Sequence, residues 1–284
     1  MASLGSFKKG IVSTKGGLGQ TGISTSTGAA PAPSYDPDAL AYFTAAGITD
    51  TTEKNAVNQL VLDLKGTGST PNGTDLWTDA VQVLGVSPTS LDASKYNIKN
   101  PAKNLTYFNS PTHAAGGVTF NGTTQYAATG VIPSSDGLDS FTLTIALGGT
   151  TTDTSFGRMI TVNQGTGQRL QLRQTAGNLL SDIYNSSSIT AATTTTSGFF
   201  TATSTSNSDG RIFKGATKLA TDVSLAGTVP DLELYIGALN NSGSPQNHSV
   251  FTFNCAYISA AGYDDNGIAD LDDAFNRYNT ALNR

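Results

Sequence analysis

Asp231 and Glu233 are the residues of this chain best spaced for acid–base work. They stand two apart in PDLELYIG, so on a strand they share one face. Retaining cleavage of a glycosidic bond needs two carboxyls about 5 Å apart. The chain has two Glu residues in all, and the other, Glu53, belongs to a helical stretch. No third acid follows on that face, because Tyr235 and Gly237 come next. Two solvated acids on an exposed strand explain the pair without catalysis. His113 and His248 are far apart and lack the spacing of a metal site; His248 falls in the polar run 243–249, where exposure is expected. Nothing resembles a nucleophile elbow. Cys255 is the single cysteine, which excludes an internal disulfide and a cysteine zinc site; in VFTFNCAYI it reads as a small buried apolar residue. Asp264-Asp265-Asn266 offers oxygen ligands suited to calcium, and the same residues cap a helix more simply. The expectation is a protein that is not an enzyme, with no catalytic residues, no metal and no cofactor.

The elements that would position such groups follow from composition and periodicity. Charged residues are 13% of the 284, about half the usual share. Thr, Ser, Asn and Gly take their place, which suits a turn-rich β-sandwich with a hydroxyl-rich surface. Net charge is −5 and no basic run exists, so nucleic acid is excluded as a partner. No apolar run approaches about eighteen residues, so membrane insertion is not expected. Lys8 and Lys9 are followed by no apolar core, so no signal peptide is expected and the chain would be made in a host cytoplasm.

Residues 1–35 are rich in Gly, Ser and Thr, with sparse apolar residues. They read as an extended docking arm whose contacts would be Phe7, Ile11, Val12, Leu18 and Ile23. STKGGLGQTG within the arm resembles a phosphate loop, but Gln20 replaces the expected second lysine and poor helix formers follow. Residues 36–86 read as a helical preface. Asp36-Pro37 opens one helix and Gly47 stops it; Asp50 or Thr51 caps a second, with Ala56, Val57, Leu60, Val61 and Leu64 on one face. Asp75–Leu84 reads as a third helix, with Trp77 as a packing anchor. A connector, 87–116, precedes a sandwich at 117–263. There Val118 and Phe120, the turn Asn121-Gly122 and Tyr126 read as a hairpin, with Tyr126 resuming the apolar face. In SFTLTIAL, Phe141, Leu143, Ile145 and Leu147 alternate with Thr142, Thr144 and Ala146. Further strands are expected at 158–162, 169–174, 179–184, 199–204, 211–214, 232–238 and 250–258. Residues 264–284 form a last helix with Ile268, Leu271, Phe275, Tyr278 and Leu282 as its packing stripe. The fold class is mainly β: an antiparallel sandwich with a helical preface and a C-terminal helix.

GVTFNGTTQYAATGVIPSS followed by SFTLTIAL resembles the opening of laminin-G-like, concanavalin A-like jelly rolls. AAGYDDNGIADLDDAFNRYNTALNR is similar to the closing helix of the versions found in tailed-phage virion proteins. DPDALAYFTAAGITDTTEKNAVNQLVLDLKG, leading to YNIKNP, is similar to their helical preface. The resemblance implies a structural or accessory virion protein, on capsid, tail or fibre, anchored by its arm and displaying a lectin-like sandwich. Its partners would be other virion proteins, with a homo-oligomer and a host-surface glycan as further candidates. The alternative is a host-surface glycan-binding adhesin with Tyr, Asn and Thr residues on rim loops; a glycoside hydrolase is the third reading. Gln125 stands where the family pattern often has Asp, which removes one acid from any rim metal site.

Overall fold

The computed structural model describes residues 34–138, 141–151, 157–175, 177–185, 188–193, 196–222 and 225–284. The expected contacts of the arm, Phe7, Ile11, Val12, Leu18 and Ile23, and the phosphate-loop-like run lie outside these residues.

Helix α1 (Pro37–Ala46) begins as its caps dictate. Asp36 accepts from the Asp38 N–H at 2.9 Å, Pro37 takes the first turn, and Gly47 ends it in the left-handed region at φ 68°. Helix α2 (Thr51–Leu64) is capped by Asp50, whose carboxylate accepts from the Glu53 N–H at 2.8 Å. Strands β1 (Ala80–Gly85), β2 (Thr106–Phe108), β3 (Thr112–Ala114), β4 (Gly117–Asn121) and β5 (Tyr126–Ala128) follow. The middle of the chain supplies β6 (Leu143–Thr151), β7 (Gly157–Gly165), β8 (Gln168–Thr175), β9 (Asn178–Ile183), β10 (Ile189–Ala192), β11 (Ser197–Ser204), β12 (Gly210–Lys214) and β13 (Thr217–Asp222). The end supplies β14 (Tyr235–Ile236), β15 (Leu239–Asn241), β16 (Ser244–Gln246), β17 (Val250–Ser259) and helix α3 (Asp265–Ala281).

Two sheets form among the described residues. The first runs β13-β12-β11-β6-β17-β4-β3, with β1 also on β17; the second runs β10-β9-β8-β7-β14-β5-β2, with β15 and β16 beside β7. Pairing is antiparallel except for a short β15–β7 contact. Phe120, Ile145, Leu147, Phe251 and Phe253 from the first sheet meet Ile160, Val162, Leu170, Leu172 and Ile236 from the second. The opposite face of the first sheet carries Ala146, Phe199, Phe213, Cys255 and Tyr257. These pack under Leu60 and Leu64 of α2 and Leu271, Phe275 and Tyr278 of α3. The chain is thus a mainly β, antiparallel sandwich of the concanavalin A-like jelly-roll kind, with a helical layer on one side.

Two sequence expectations are corrected. Residues 75–84 are not a third helix. Asp75 accepts from the backbone N–H groups of Trp77 and Thr78 at 2.9 and 3.0 Å, a turn that diverts the chain into β1. The run AVQVLG then pairs with Ser259–Cys255 of β17, and that long-range ladder prevails over a pattern with two periods in it. Trp77 is buried as expected, with Lys65 and Lys99 over its ring. Nor is 117–128 a hairpin. Asn121 accepts from the N–H groups of Thr123, Thr124 and Gln125, Gly122 has φ 74°, and the turn carries the chain from the first sheet to the second.

Asp270 ties α3 to the segment before β1. Its carboxylate is fully buried and accepts from the Asn72 and Thr74 N–H groups at 2.9 and 2.8 Å. Burial alone would raise its pKa; the hydrogen bonds from Thr74 and Asn72 outweigh that and hold it below the ordinary value. A lowered folded-state pKa gives stability that is complete above the ordinary carboxylate range and is lost as pH falls through the folded value. Asp270→Ala is expected to cost about 2–3 kcal/mol at pH 7, since two backbone N–H groups lose a charged acceptor. Urea unfolding should show that difference shrinking towards pH 3; an undiminished difference at acid pH would refute the assignment.

Candidate functional site

The outer face of the second sheet, turned away from the core, holds a group of aromatic, amide and guanidinium side chains. Register places them. Phe108 of β2 pairs with Tyr126 of β5, and Ala128 pairs with Tyr235 of β14. Tyr235 pairs with Thr161, Thr161 with Gln171 and Gln171 with Asp182, so one continuous row crosses the sheet. Ala127 and Ile236, one residue along, point into the core. Tyr126 therefore does not resume the apolar face, as the sequence suggests; it belongs to the outer one.

One end of this face is aromatic. Phe108 stacks on Tyr126 with centroids 4.4 Å apart and planes at 4°; Tyr126 meets Tyr235 at 4.8 Å, and His248 edges onto Tyr126 at 5.9 Å. Phe108 remains 37% exposed, one of few large apolar side chains left in solvent. Its turn is held by Gln125, whose Nε2 donates to the Asn109 and Ser110 carbonyls at 3.0 and 2.9 Å. Asn109 and Ser110 have positive φ, 58° and 50°. A carboxylate at position 125 has no proton for those carbonyls, which gives Gln125 a physical reason to stand there. Burial, then the charge of Glu233, pushes the Tyr126 phenol up; burial, then Tyr126 and Glu233, does the same for Tyr235. Both are neutral hydroxyls at pH 7. His248 is half-buried, contrary to the exposure expected from its polar loop, and burial lowers its pKa. Its Nε2 has no hydrogen-bond partner.

The other end is polar and cationic. Arg158 is buried and donates through Nη1 to Gln171 Oε1 at 2.8 Å. Burial, with the neighbouring Arg173 second, lowers its guanidinium to about 10, while Asp182 opposes the shift. Arg173 donates to Ser188 Oγ at 2.9 Å and lies 3.6 Å from Asp182; Ser188 in turn donates to Asp182 at 2.6 Å.

The two acids singled out by spacing do not share a strand face. Regular pairing is confined to Tyr235–Ile236, and Asp231 and Glu233 precede it. Asp231 accepts from Ser134 Oγ at 2.8 Å, and Glu233 accepts from the Gly130 N–H. Glu233 does reach the aromatic group, through its field on both phenols. His113 is elsewhere, with Nε2 2.8 Å from the Ser87 carbonyl. Cys255 is buried in the helical layer, and burial pushes its thiol to about 12. Asp264 caps α3 through the Gly267 N–H, while Asp265 pairs with Arg211 and Lys218. Among the described residues no three metal-type ligands cluster. The adhesin alternative put its contacts on Tyr, Asn and Thr residues of rim loops; Phe108, Tyr126 and Tyr235 have no spacing signal, because sheet register brings them together, and His248 joins them from the loop before β17.

No family model matches the chain, and no curated protein does. Solved structures do. A mutant of Trypanosoma rangeli sialidase displaying trans-sialidase activity superposes with a TM-score of 0.55 and 13% identity, over 84% of this chain and 38% of the sialidase. Trypanosoma rangeli sialidase in complex with sialic acid superposes with a TM-score of 0.55 and 14% identity, over 77% of this chain and 38% of the other. The likeness at this identity establishes the fold, and the chain spans well under half the length of the sialidases it matches. It also overturns the expectation, drawn from the sequence, that the chain is not an enzyme: solved enzymes carry this fold over most of the chain's length.

Proposed function

We propose that the chain is a glycan-binding adhesin module, which receives a sugar on the aromatic end of the second sheet's outer face. The observation that carries this reading is the Phe108–Tyr126–Tyr235 cluster, in which Phe108 is exposed and Tyr235 half-buried, beside Glu233 and His248 on a face that is otherwise polar. Aromatic rings of this kind present an apolar face for the C–H side of a sugar ring. The neutral phenols donate to sugar hydroxyls, and Glu233 accepts from them. A few oriented polar groups beside an aromatic surface are the usual make-up of a small-molecule site. A neighbour of the same fold with sialic acid bound fits a carbohydrate ligand, although the reading stands on the residues of this chain.

The virion setting is a proposal that rests on the sequence resemblance. In that setting the 1–35 arm docks onto neighbouring virion proteins through its scattered apolar residues, and the sandwich faces outward.

Two experiments test these readings. Phe108→Ala and Tyr235→Ala should each weaken binding to a glycan found by array screening about tenfold, as expected for a central aromatic contact, with circular dichroism unchanged. Variants that bind as tightly as the parent chain sink the site. Deleting residues 1–30 should abolish incorporation into particles while leaving glycan binding intact; undiminished incorporation sinks the docking arm.

A further inference from the structure

The helical layer does not cover the whole of the first sheet. Beside the end of α3 a polar cavity of about 230 Å³ opens onto β6 and β11. It is on the opposite side of the sandwich from the aromatic face and is independent of the reading above.

Its base is bare backbone at Gly148, Gly149 and Gly198. A Cβ at Gly148 would lie 2.5 Å from Cys255 Sγ and 2.8 Å from Asn254 Oδ1, so any side chain there enters the cavity wall. The walls are amides from Asn254, Asn276 and Asn279, with the Thr150 and Ser197 hydroxyls joined at 3.1 Å along one edge. Among the described residues Arg284 is the one charged side chain in the lining. Its Nε donates to the Ala115 carbonyl at 2.7 Å and its Nη2 to the Val86 carbonyl at 2.6 Å. Carbonyl oxygens orient the guanidinium without neutralising it. No carboxylate among the described residues lies within ion-pair distance of it. Nη1 is buried with no hydrogen-bond partner, and so is Asn279 Oδ1, whose Nδ2 is engaged by Cys255 Sγ at 3.6 Å.

The cavity therefore combines a cation that has no counter-ion among the described residues with several amides and hydroxyls. A partly exposed guanidinium held by two carbonyl oxygens keeps its charge, which favours an anion such as a carboxylate. The Asn254 and Asn276 amides and the Thr150 and Ser197 hydroxyls suit a ligand's hydroxyl groups. The volume is below the roughly 300 Å³ at which pockets for drug-sized ligands begin, so one ring is the upper limit. From this we infer that the cavity is a binding site for a small hydroxylated carboxylate, a single sugar acid in size and chemistry, taken either free or as the end residue of an acidic polysaccharide.

Glucuronate is the probe, with glucose as a neutral ring of the same size and acetate as a carboxylate without hydroxyls. Side-chain amide resonances of Asn254, Asn276 and Asn279 should shift with glucuronate. Glucose and acetate should bind about tenfold more weakly or worse, each lacking one half of the recognition. Arg284→Gln should weaken glucuronate about tenfold, the loss of one charge-assisted hydrogen bond. Asn276→Leu, an exposed position on α3, should do the same without disturbing the fold, and Phe108→Ala should leave glucuronate binding unchanged. Equal binding of methyl glucuronide and glucuronate supports the end residue of a chain; binding of glucuronate alone supports the free acid. Equal response to glucose and glucuronate, or no amide shift with any probe, overturns the site.

Discussion

Strand β17 has to be buried on both faces at once, and most of the architecture follows from how it manages this. Along one side it pairs with β6 from Phe251 to Ser259. Along the other it pairs first with β4, through residues 250–253, and then with β1, through residues 255–259. Between the two partners the register shifts at Asn254, whose carbonyl accepts from the Val86 N–H at 2.9 Å. A bulge of one residue changes which parity faces inward. Phe251 and Phe253 enter the sandwich core before it, and Ala256 and Ile258 after it, while Cys255 and Tyr257 turn to the helices. Each large apolar side chain so buried contributes about 1.5–3 kcal/mol.

That constraint assigns the two sheets different roles. The first sheet carries Phe199, Phe213 and Tyr257 on its outer side and needs a second layer to cover them. Helices α2 and α3 provide it, with Phe275 stacked on Phe199 at 5.2 Å, and the segment before β1 adds the Leu76 carbonyl, which accepts from Tyr257 at 2.5 Å. Among the described residues no helix packs on the second sheet, and its polar outer face carries the aromatic group. Gln125 links this difference to the site. It stands at the corner where the chain crosses from one sheet to the other, and it holds the turn that carries Phe108.

Local chemistry was the legible part of the sequence. Asp36-Pro37, Asp50, Gly47 and Asp264 set the helix ends through bonds to residues within a few positions, and all four caps are present. The alternation of Leu143, Ile145 and Leu147 placed β6 in the core. What the sequence hid was pairing over distance. Residues 80–85 satisfy a helical pattern almost as well as a strand pattern, and only β17, about 175 residues later, decides between them. Asn121-Gly122 announces a turn without saying which sheet comes next. For the same reason the site escaped notice: Phe108, Tyr126, Tyr235 and His248 come from four distant segments. The acid pair Asp231 and Glu233 was conspicuous in one dimension, yet the structure gives the two carboxylates separate partners and leaves only Glu233 near the phenols.

A crystal structure with the best-binding oligosaccharide tests the central claim most directly. The expected result is a sugar ring seated against Phe108 and Tyr235 on the outer face of the second sheet, with hydroxyls reaching the phenols and Glu233. An oligosaccharide seated on the helical side, or on the rim away from these rings, would contradict it.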